Sequence, residues 1–295
     1  MKRVMLIVNP VAGKMRVKTN FFDIVSKLCA AGMAVEVHIT RSRGDAIEIA
    51  STLKADRYDA VLCAGGDGTV NEVMCGIIRS GEDIPIGYIP CGSTNDFAQS
   101  MNININPISA TEQIIEGTPK PIDVGLFDGT RNFSYIASFG AFTEASYSTP
   151  QQMKNAIGHF AYLLEGVKSL GNIKPFEMSV CADGKRYIGE YIFGAVANCT
   201  SIAGLLKLKR DNVDTNDGLF EVILAKNPQN AAELNDLLGA VLTANLQSPM
   251  LTFFKASKVD FSFADGMSWT LDGEEARSDK CVCVENLHAR INLIR

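Results

Sequence analysis

The sequence predicts an α/β fold with two domains, and three observations support that prediction. Short apolar runs alternate with helical patterns up to about residue 120, which is typical of a doubly wound α/β domain. Strand-like segments separated by Asp-Gly pairs dominate after that point, which indicates a β-rich, sandwich-like domain. A chain of 295 residues is also long enough to bury two cores. We therefore expect an N-terminal domain over residues 1–122 and a C-terminal domain over residues 123–275.

Four apolar runs are the predicted strands of the N-terminal domain, and they lie near residues 3–8, 34–39, 59–64 and 86–89. A helix should follow the third run, because apolar residues recur there at helical spacing. These residues are Val70, Val73, Met74, Ile77 and Ile78. Thr69 followed three residues later by Glu72 has the form of a capping box at the start of that helix.

Asp-Gly pairs divide the predicted strands of the C-terminal domain. Each pair separates two strand-like runs and so predicts a hairpin with a primed turn. The hairpins are residues 120–127 and 131–138 around Asp128-Gly129, residues 176–182 and 187–198 around Asp183-Gly184, and residues 255–264 and 267–271 around Asp265-Gly266. Helical segments around residues 150–170 and 229–246 interrupt the strands.

The composition is that of a globular cytoplasmic protein. Hydrophobic residues make up 46% of the chain and charged residues 21%, and no apolar run approaches the length of a membrane span. The net charge of −5 provides no broad basic surface, so we expect no nucleic-acid partner. The eight cysteines lack metal-ligand spacing, which is typical of reduced thiols in a cytosolic protein.

A glycine-rich turn with an acidic residue joins the third predicted strand to the next helix. It consists of Gly65, Gly66, Asp67 and Gly68. Glycines let the backbone approach a ligand closely, and the N–H groups at a helix start attract phosphate oxygens. The Asp67 carboxylate would repel a phosphate unless a cation lay between them, so the turn predicts a Mg²⁺-nucleotide site. Taken alone, such a turn is equally compatible with a tight backbone turn that binds nothing.

Two further loops repeat this arrangement after other strands. Residues 92–98 form a Gly/Ser/Thr loop that leads through Asp96 into a helix, and residues 9–14 form a small-residue loop that ends in Lys14. Because ligands of open α/β sheets bind at the carboxyl ends of strands, the three loops describe one crevice. Neither the P-loop ending nor the dinucleotide fingerprint is present.

Together these motifs resemble the soluble bacterial diacylglycerol kinase family, whose relatives include sphingosine and ceramide kinases and, more distantly, NAD kinases. The resemblance covers nearly the whole chain. It is carried by Asn9-Pro10-x-x-Gly13-Lys14, Thr40 with Gly44-Asp45-Ala46, residues 65–73, residues 90–98 and Leu271-Asp272-Gly273-Glu274. Ser93 stands where many members have a second threonine, and the hydroxyl is kept.

The resemblance implies an ATP-dependent lipid kinase that phosphorylates the free hydroxyl of diacylglycerol to give phosphatidic acid. It implies Glu274 as the base that accepts the hydroxyl proton, with Asp272 as an alternative base or part of the metal network. Asp67 and Asp96 are the candidates for holding catalytic Mg²⁺. An isolated Asp272-Gly273 pair would otherwise be a plain surface turn. The nucleotide candidates are Asn9, Pro10, Gly13, Lys14, Thr40, Gly65, Gly66, Asp67, Gly68, Thr69, Asn71, Glu72, Gly92, Ser93 and Thr94.

A second acidic cluster lies at Asp211, Asp214 and Asp217-Gly218-Leu219. It resembles the structural Mg²⁺ site of the bacterial family at Asp214, Asp217 and the carbonyl of Leu219, since carboxylates and a carbonyl suit a hard cation. The alternative is an ordinary solvated loop.

The sequence leaves the acceptor open, because diacylglycerol, monoacylglycerol, phosphatidylglycerol, ceramide and sphingosine all present an alcohol beside an apolar tail. A catalytically weak nucleotide- or lipid-binding homologue is a second alternative, and NAD phosphorylation is disfavoured by residues 95–98 and the β-rich second half. We expect a lipid alcohol partner at the inner membrane surface, no transmembrane segment, and compatibility with a homodimer. The resemblance also implies that residues 276–295 return to the first domain.

Overall fold

A computed structural model of the chain describes residues 1–140, 175–202, 206–208 and 213–295. Its residues form two compact units, of which the first comprises Met1–Val124 with His288–Arg295 and the second comprises Gly125–Leu287. The predicted helix around residues 150–170 and the Asp211 carboxylate lie outside the described residues. The α/β and β-rich division predicted from the sequence is confirmed.

The first unit is a parallel sheet with helices between its strands. Its four parallel strands pair in the order β4, β3, β1, β2. The end of the last strand of the chain pairs with the other side of β4. The strands are β1 Arg3–Val8, β2 Ala34–Ile39, β3 Ala60–Gly65 and β4 Ile86–Pro90. The helices are α1 Arg16–Ala30, α2 Asp45–Ser51, α3 Asp67–Ser80, α4 Asp96–Ser100 and α5 Pro107–Glu116, with a 3-10 helix at Ala12–Met15. Every residue of β3 and β4 is buried, as expected for central parallel strands covered on both faces.

The second unit is an antiparallel sheet with one described helix, α6 Ala231–Thr243. The strands of the unit are β5 Pro119–Phe127, β6 Arg131–Phe133, β7 Ile136–Gly140, β8 Phe176–Ala182, β9 Lys185–Ala197, β10 Ser201–Ile202, β11 Leu206–Lys207, β12 Phe220–Lys226, β13 Leu251–Ala256, β14 Lys258–Phe263, β15 Met267–Leu271, β16 Glu274–Ser278 and β17 Cys281–Ile294. β10 and β11 pair with each other as a separate two-stranded sheet. β5 begins and β17 ends in the first unit. Within the second unit the order is β16, β15, β7, β9, β8, β14, β17, while β12 joins β9 to β13.

Aromatic side chains fill the core of the second unit. The Trp269 ring lies 4.6 Å from the Phe139 ring and 5.2 Å from those of Phe127 and Phe261, measured between centroids. All four side chains are buried, so this cluster fixes the packing of β7, β14 and β15.

Two of the three predicted Asp-Gly hairpins are confirmed and one is wrong. The turns at residues 128–129 and 183–184 join paired strands β5–β6 and β8–β9. β14 instead pairs with β8 and β17, so residues 265–266 lead from β14 to a strand on another part of the sheet. The hairpin after it turns at Asp272-Gly273, where φ is 50° and 86° as a primed turn requires. Pairing partners are thus chosen by sheet packing rather than by the local Asp-Gly pair.

The C-terminal strand passes from the second unit into the first. Its early part pairs with β14, where Val284 lies opposite Val259, and near its end Leu293 pairs in parallel with Ile86 of β4. The return to the first unit therefore begins at His288, later than the residue 276 expected from the sequence. Among the described helices, none is both long enough and apolar enough to cross a bilayer.

Candidate active-site residues

The loops that follow β1, β3 and β4 contact one another in the first unit. The Asn9 side-chain amide donates to Thr69 Oγ1 over 3.0 Å, and the Asn9 backbone N–H donates to the Ala64 carbonyl over 2.9 Å. The Cys91 N–H donates to the Gly65 carbonyl over 2.7 Å. Three segments that are far apart in the sequence are therefore held together at the carboxyl edge of the sheet, as the motif analysis expected.

Glycines form the contacts between these loops because no side chain would fit. A Cβ atom on Gly92 would lie 2.7 Å from the Gly66 Cα, and one on Gly13 would lie 1.9 Å from the Cys91 carbonyl oxygen. Gly13 also has a φ of 51°, which side chains rarely adopt. Gly66 itself is extended and would leave a Cβ 3.4 Å from Gly92, so its own replacement crowds the loop far less. Gly13 and Gly92 are therefore needed for the contact between loops, whereas Gly66 is not.

Asp67 holds the loop before α4. Its Oδ1 accepts the Phe97 N–H and its Oδ2 accepts the Asp96 N–H and the Thr94 hydroxyl, each over 3.1 Å. These are the N–H groups that a short helix leaves without partners of its own. Burial raises the pKa of the Asp67 carboxyl, although the hydrogen bonds from Phe97, Asp96 and Thr94 favour its charged form. Asp67 therefore positions the second loop.

Asp96 lies beside Asp67 at the start of α4 and is half-buried. Burial and then the neighbouring Asp67 charge raise the pKa of Asp96 to about 6. The two negative charges repel each other unless a proton or a cation reduces the repulsion. A cation near Asp96 would remove this repulsion, which is the chemistry expected of a magnesium ligand.

The predicted capping box at Thr69 and Glu72 is wrong. α3 begins at Asp67 with Gly66 as its N-cap, so Thr69 lies inside the first turn. Thr69 Oγ1 accepts from Asn9, and Glu72 accepts the Gly44 N–H over 2.9 Å. Glu72 therefore ties α3 to the loop after β2 instead of capping its own helix, and Gly66 offers no side-chain cap to the free N–H groups there.

The remaining predicted nucleotide residues lie in the same loops. The Thr40 hydroxyl contacts the Val8 carbonyl over 3.3 Å at the end of β1. Ser93 is exposed, whereas the side chain of Lys14 lies outside the described residues. Pro10 follows β1, Gly68 is exposed in the first turn of α3, and Asn71 is half-buried one turn later.

The sequence motif did not reveal how Asn95 stabilises its loop. Asn95 is buried with a φ of 52°, and its Oδ1 accepts the Gly92 N–H over 2.8 Å. Its side-chain amide donates back to the Gly92 carbonyl over 3.2 Å. An Asn three residues after Gly92 and directly before Asp96 is the sequence signal for this role, because Asn tolerates the left-handed region and its side chain readily bonds to nearby backbone.

Asp272 is a buried structural carboxylate of the second unit. Its Oδ1 accepts the N–H groups of Tyr135 and Ile136 over 3.1 and 3.0 Å, and its Oδ2 accepts the Ser134 N–H. Burial raises the pKa of Asp272 to about 6 against these hydrogen bonds. The residue is only 7% exposed, so the surface-turn alternative does not describe it. Asp272 fixes the β15–β16 turn to the start of β7, which makes it a positioning residue for its neighbours.

Glu274 lies one residue past this turn, at the start of β16, and its side chain is 34% exposed. The Arg131 guanidinium lies 3.8 Å from Glu274 Oε2 and donates to the Glu275 carbonyl over 3.0 Å. Arg131 is a neighbour that sequence reasoning missed, because 143 positions separate the two residues and no motif links them. Glu274 is thus a partly exposed carboxylate held beside an anchored turn.

Asp214 and Asp217 belong to the loop before β12. Asp214 Oδ1 accepts the Asn216 N–H over 3.1 Å, and Asp217 Oδ1 accepts the Leu219 N–H over 3.0 Å. The Lys255 ammonium lies 2.9 Å from Asp217 Oδ2 and 3.0 Å from Oε1 of the fully buried Glu221. Burial raises the pKa of Glu221 to about 7, although Lys255 opposes that shift. Neither Lys255 nor Glu221 was anticipated from the sequence.

Comparison with known protein families covers almost the whole chain. Residues 3–127 match the family described as the diacylglycerol kinase catalytic domain. Residues 137–293 match the family described as the YegS C-terminal NAD kinase beta sandwich-like domain.

Curated relatives are similar over nearly their full length. The diacylglycerol kinase of Bacillus subtilis (strain 168) is 33% identical over 275 residues, covering 93% of this chain and 90% of the relative. That of Staphylococcus aureus (strain MRSA252) is 32% identical over 274 residues, covering 92% and 86%.

Solved structures have the same fold. A candidate diacylglycerol kinase from Bacillus anthracis str. Sterne aligns with a TM-score of 0.81 at 26% identity, over 99% of this chain and 95% of that one. A further diacylglycerol kinase structure from the same strain aligns with a TM-score of 0.76 at 22% identity, over 99% and 96%.

Proposed function

The chain belongs to the bacterial diacylglycerol kinase family, and on that premise we propose that it transfers the γ-phosphoryl group of ATP to the free hydroxyl of diacylglycerol, giving phosphatidic acid and ADP. The observation that carries the proposal is the contact between Gly66 and Gly92 at the start of α3. It leaves backbone without side chains beside helix N–H groups, which is the surface that phosphate oxygens need.

The first unit supplies the nucleotide site in this proposal. Gly65, Gly66, Gly68 and the α3 N–H groups would bind the phosphates, and the loops of residues 9–14 and 92–94 would border them. Lys14 is kept as a nucleotide candidate on the sequence alone, and the hydroxyls of Thr40, Thr69, Ser93 and Thr94 would border the site. Phosphoryl transfer needs little covalent help from the protein, so positioning of this kind is the main contribution.

The carboxylates of the first unit fit a magnesium ion. Asp96 has a raised pKa beside a second carboxylate, and both are oxygen donors of the kind that Mg²⁺ prefers. Magnesium bound with ATP neutralises charge on the β- and γ-phosphates. Because the oxygens of Asp67 are already engaged by Thr94, Asp96 and Phe97, we assign the direct interaction to Asp96 and the positioning of the loop to Asp67.

Glu274 accepts the proton in the proposed transfer. As the lipid hydroxyl oxygen bonds to the γ-phosphorus, the bond from phosphorus to the ADP oxygen breaks and the hydroxyl proton moves to the Glu274 carboxylate. Glu274 is suited to this because its side chain is partly exposed, whereas both oxygens of Asp272 are occupied by backbone N–H groups. The proposal therefore gives Asp272 a positioning role.

The loop of residues 214–219 is proposed to hold a second, structural Mg²⁺ through Asp214, Asp217 and the Leu219 carbonyl. The donors present fit such an ion, because the carboxylates of Asp217 and Glu221 share the single Lys255 ammonium and Asp214 belongs to the same loop. Glu221 is also buried without a hydrogen bond to its oxygens among the described residues. This ion would order the loop and would take no part in phosphoryl transfer.

We propose that the protein acts in the cytoplasm, with transient contact at the inner membrane surface, where a lipid alcohol is available. The homodimer stays a prediction that sedimentation would test.

A substrate panel tests the proposed function. The protein is incubated with γ-labelled ATP, Mg²⁺ and mixed micelles that contain diacylglycerol, monoacylglycerol, phosphatidylglycerol, ceramide or sphingosine, with NAD in a separate reaction. We expect label in phosphatidic acid and its loss when Mg²⁺ is chelated. Faster labelling of another lipid would change the acceptor, labelling of NAD alone would overturn the lipid assignment, and no labelling of any acceptor would favour a binding protein.

Amide substitutions at two adjacent glutamates test whether Glu274 is the proton acceptor. Glu274→Gln should lose the lipid product, while Glu275→Gln should keep it. The Glu275 side chain pairs with Arg277 on the surface and is 54% exposed, so its amide should leave the transfer unaffected.

A further inference from the structure

An ion pair links β12 to β13 directly behind the loop of residues 214–219. Glu221 and Lys255 lie opposite each other in the antiparallel register of these strands. The Glu221 side chain is 0% exposed, whereas that of Lys255 is 31% exposed. The Lys255 ammonium contacts Glu221 Oε1 over 3.0 Å and Asp217 Oδ2 over 2.9 Å. One ammonium is thus shared between a buried carboxylate and a loop carboxylate.

Because Lys255 is shared, the carboxylate oxygens of Glu221 lack a full set of hydrogen bonds. Lys255 makes a hydrogen bond to Asp217, whereas its contact with Glu221 is an ion pair to Oε1 whose angles are poor for a hydrogen bond, and Glu221 Oε2 has no hydrogen bond from any residue that the structure describes. A buried charged group without hydrogen bonds is costly, and closer pairing with an ammonium would reduce that cost. The buried carboxylate therefore favours a shift of Lys255 toward Glu221.

Asp217 holds Lys255 back from that shift. Its Oδ1 is fixed by the Leu219 N–H, and its Oδ2 is the acceptor of the Lys255 hydrogen bond. Any further positive charge at Asp217 would repel the ammonium and weaken that bond. The long aliphatic stem of lysine allows its head group to move without displacing the strand.

We propose that Lys255 is a built-in competitor for the divalent-cation site of residues 214–219, and that its shared ammonium turns wholly to the buried Glu221 when a cation binds Asp217. This inference rests on the second-metal part of the proposed function. It makes Glu221 and Lys255 residues that set the affinity of the site for divalent cations without being ligands themselves. It also couples occupancy of the loop to the pairing of β12 with β13.

The test measures Mg²⁺ binding by calorimetry and the Mg²⁺-dependent rise in Tm, both without nucleotide. Glu221→Gln removes the charged acceptor, so Lys255 should stay on Asp217 and Mg²⁺ binding should weaken.

Lys255→Met combined with Glu221→Gln removes the competing ammonium without leaving a buried unpaired charge. Removing the unit positive charge that contacts Asp217 should tighten Mg²⁺ binding by roughly tenfold or more. Lys226→Met, at the exposed end of β12, is the matched control and should match the wild type.

Weaker Mg²⁺ binding in Glu221→Gln and tighter Mg²⁺ binding in the double variant would support the inference. Both changes should disappear when Asp214→Asn and Asp217→Asn are added. Equal Mg²⁺ affinity in all three proteins would overturn it while leaving a metal site in the loop. A wild type without any Mg²⁺ response that depends on Asp214 and Asp217 would also overturn it. Lipid phosphorylation measured in parallel separates that outcome from failure of the proposed kinase activity.

Discussion

The Asp67 carboxylate accepts the backbone N–H of Phe97 over 3.1 Å, across 30 positions of sequence. Asp67 begins α3 and Phe97 lies in the first turn of α4, so this bond fixes the loop after β3 to the loop after β4. An acidic residue in a glycine-rich turn would otherwise be interpreted as a metal ligand alone. Its contacts indicate that it also determines the shape of the proposed nucleotide site.

Asp67→Asn should lower both stability and activity. The amide keeps the size of the side chain but replaces one acceptor oxygen with a donor that faces N–H or O–H groups, which typically costs about 1–3 kcal/mol. We expect a lower Tm and a loss of turnover, with the same direction in Asp67→Ala. Thermal unfolding and steady-state kinetics check this, with the exposed Asp56→Asn as the control. Normal stability in Asp67→Asn would show that the capping bonds contribute little.

The two glycines in contact should differ in what their replacement does. Gly92→Ala places a Cβ 2.7 Å from both Gly66 Cα and Asn95 Oδ1, so it should destabilise the loop and weaken ATP binding together. Gly66→Val should leave the fold nearly intact, because Gly66 is extended, yet crowd the phosphates and weaken ATP binding.

Calorimetric titration with ATP and Tm measurements separate these effects. Gly239→Ala is the control, because a Cβ there has no atom within 4 Å and lies within α6. It should raise stability by about 0.5–1 kcal/mol and leave ATP affinity unchanged. Unchanged ATP affinity in Gly66→Val would contradict the phosphate cradle.

Glu274→Gln should lower kcat by roughly 10²–10⁴-fold with little change in ATP affinity, since it keeps the shape and removes the proton acceptor. Pre-steady-state and steady-state rates with the labelled lipid check this. Near-normal turnover would assign proton acceptance to another group, such as a metal-bound water.

Because the pKa of Asp272 is raised, the free energy of unfolding should fall as the pH rises from about 4 to about 6. Its carboxyl is neutral in both folded and unfolded chains at low pH, and the unfolded chain ionises first, near pH 4. The folded protein therefore binds more protons between about pH 4 and its pKa of about 6, so the free energy of unfolding decreases by roughly 3 kcal/mol across that window.

Denaturant unfolding at a series of pH values measures this slope. Asp272→Asn cannot ionise, so its slope should be smaller than that of the wild type by about this amount, whatever its absolute stability. Parallel pH profiles for the two proteins would mean that Asp272 titrates normally in the folded state.

Several features were predictable because they depend on local chemistry. Alternating strands and helices gave the α/β unit, and the Asp-Gly pairs at residues 128–129 and 183–184 gave hairpins, since such a pair readily adopts a primed turn. The same rule failed at residues 265–266, where β14 pairs with β8 and β17. Local turn propensity cannot specify which strand is the partner.

The capping box failed for a related reason. Thr69 and Glu72 have suitable spacing, but Asn9 and Gly44 offer them partners from other loops. Spacing reports which side chains could meet along a helix, whereas tertiary packing decides between competing partners.

The sequence by itself determined the family, the two-domain architecture and the candidate residues, because these follow from motifs and periodicity along the chain. Only the tertiary structure decided what the carboxylates do: Asp67 caps α4, Asp272 binds the N–H groups before β7, and Glu274 stays partly exposed. These differences arise from burial and from donors up to 138 positions away. Similar carboxyl groups acquire different roles because the fold decides which of them lose water and which backbone N–H groups replace it.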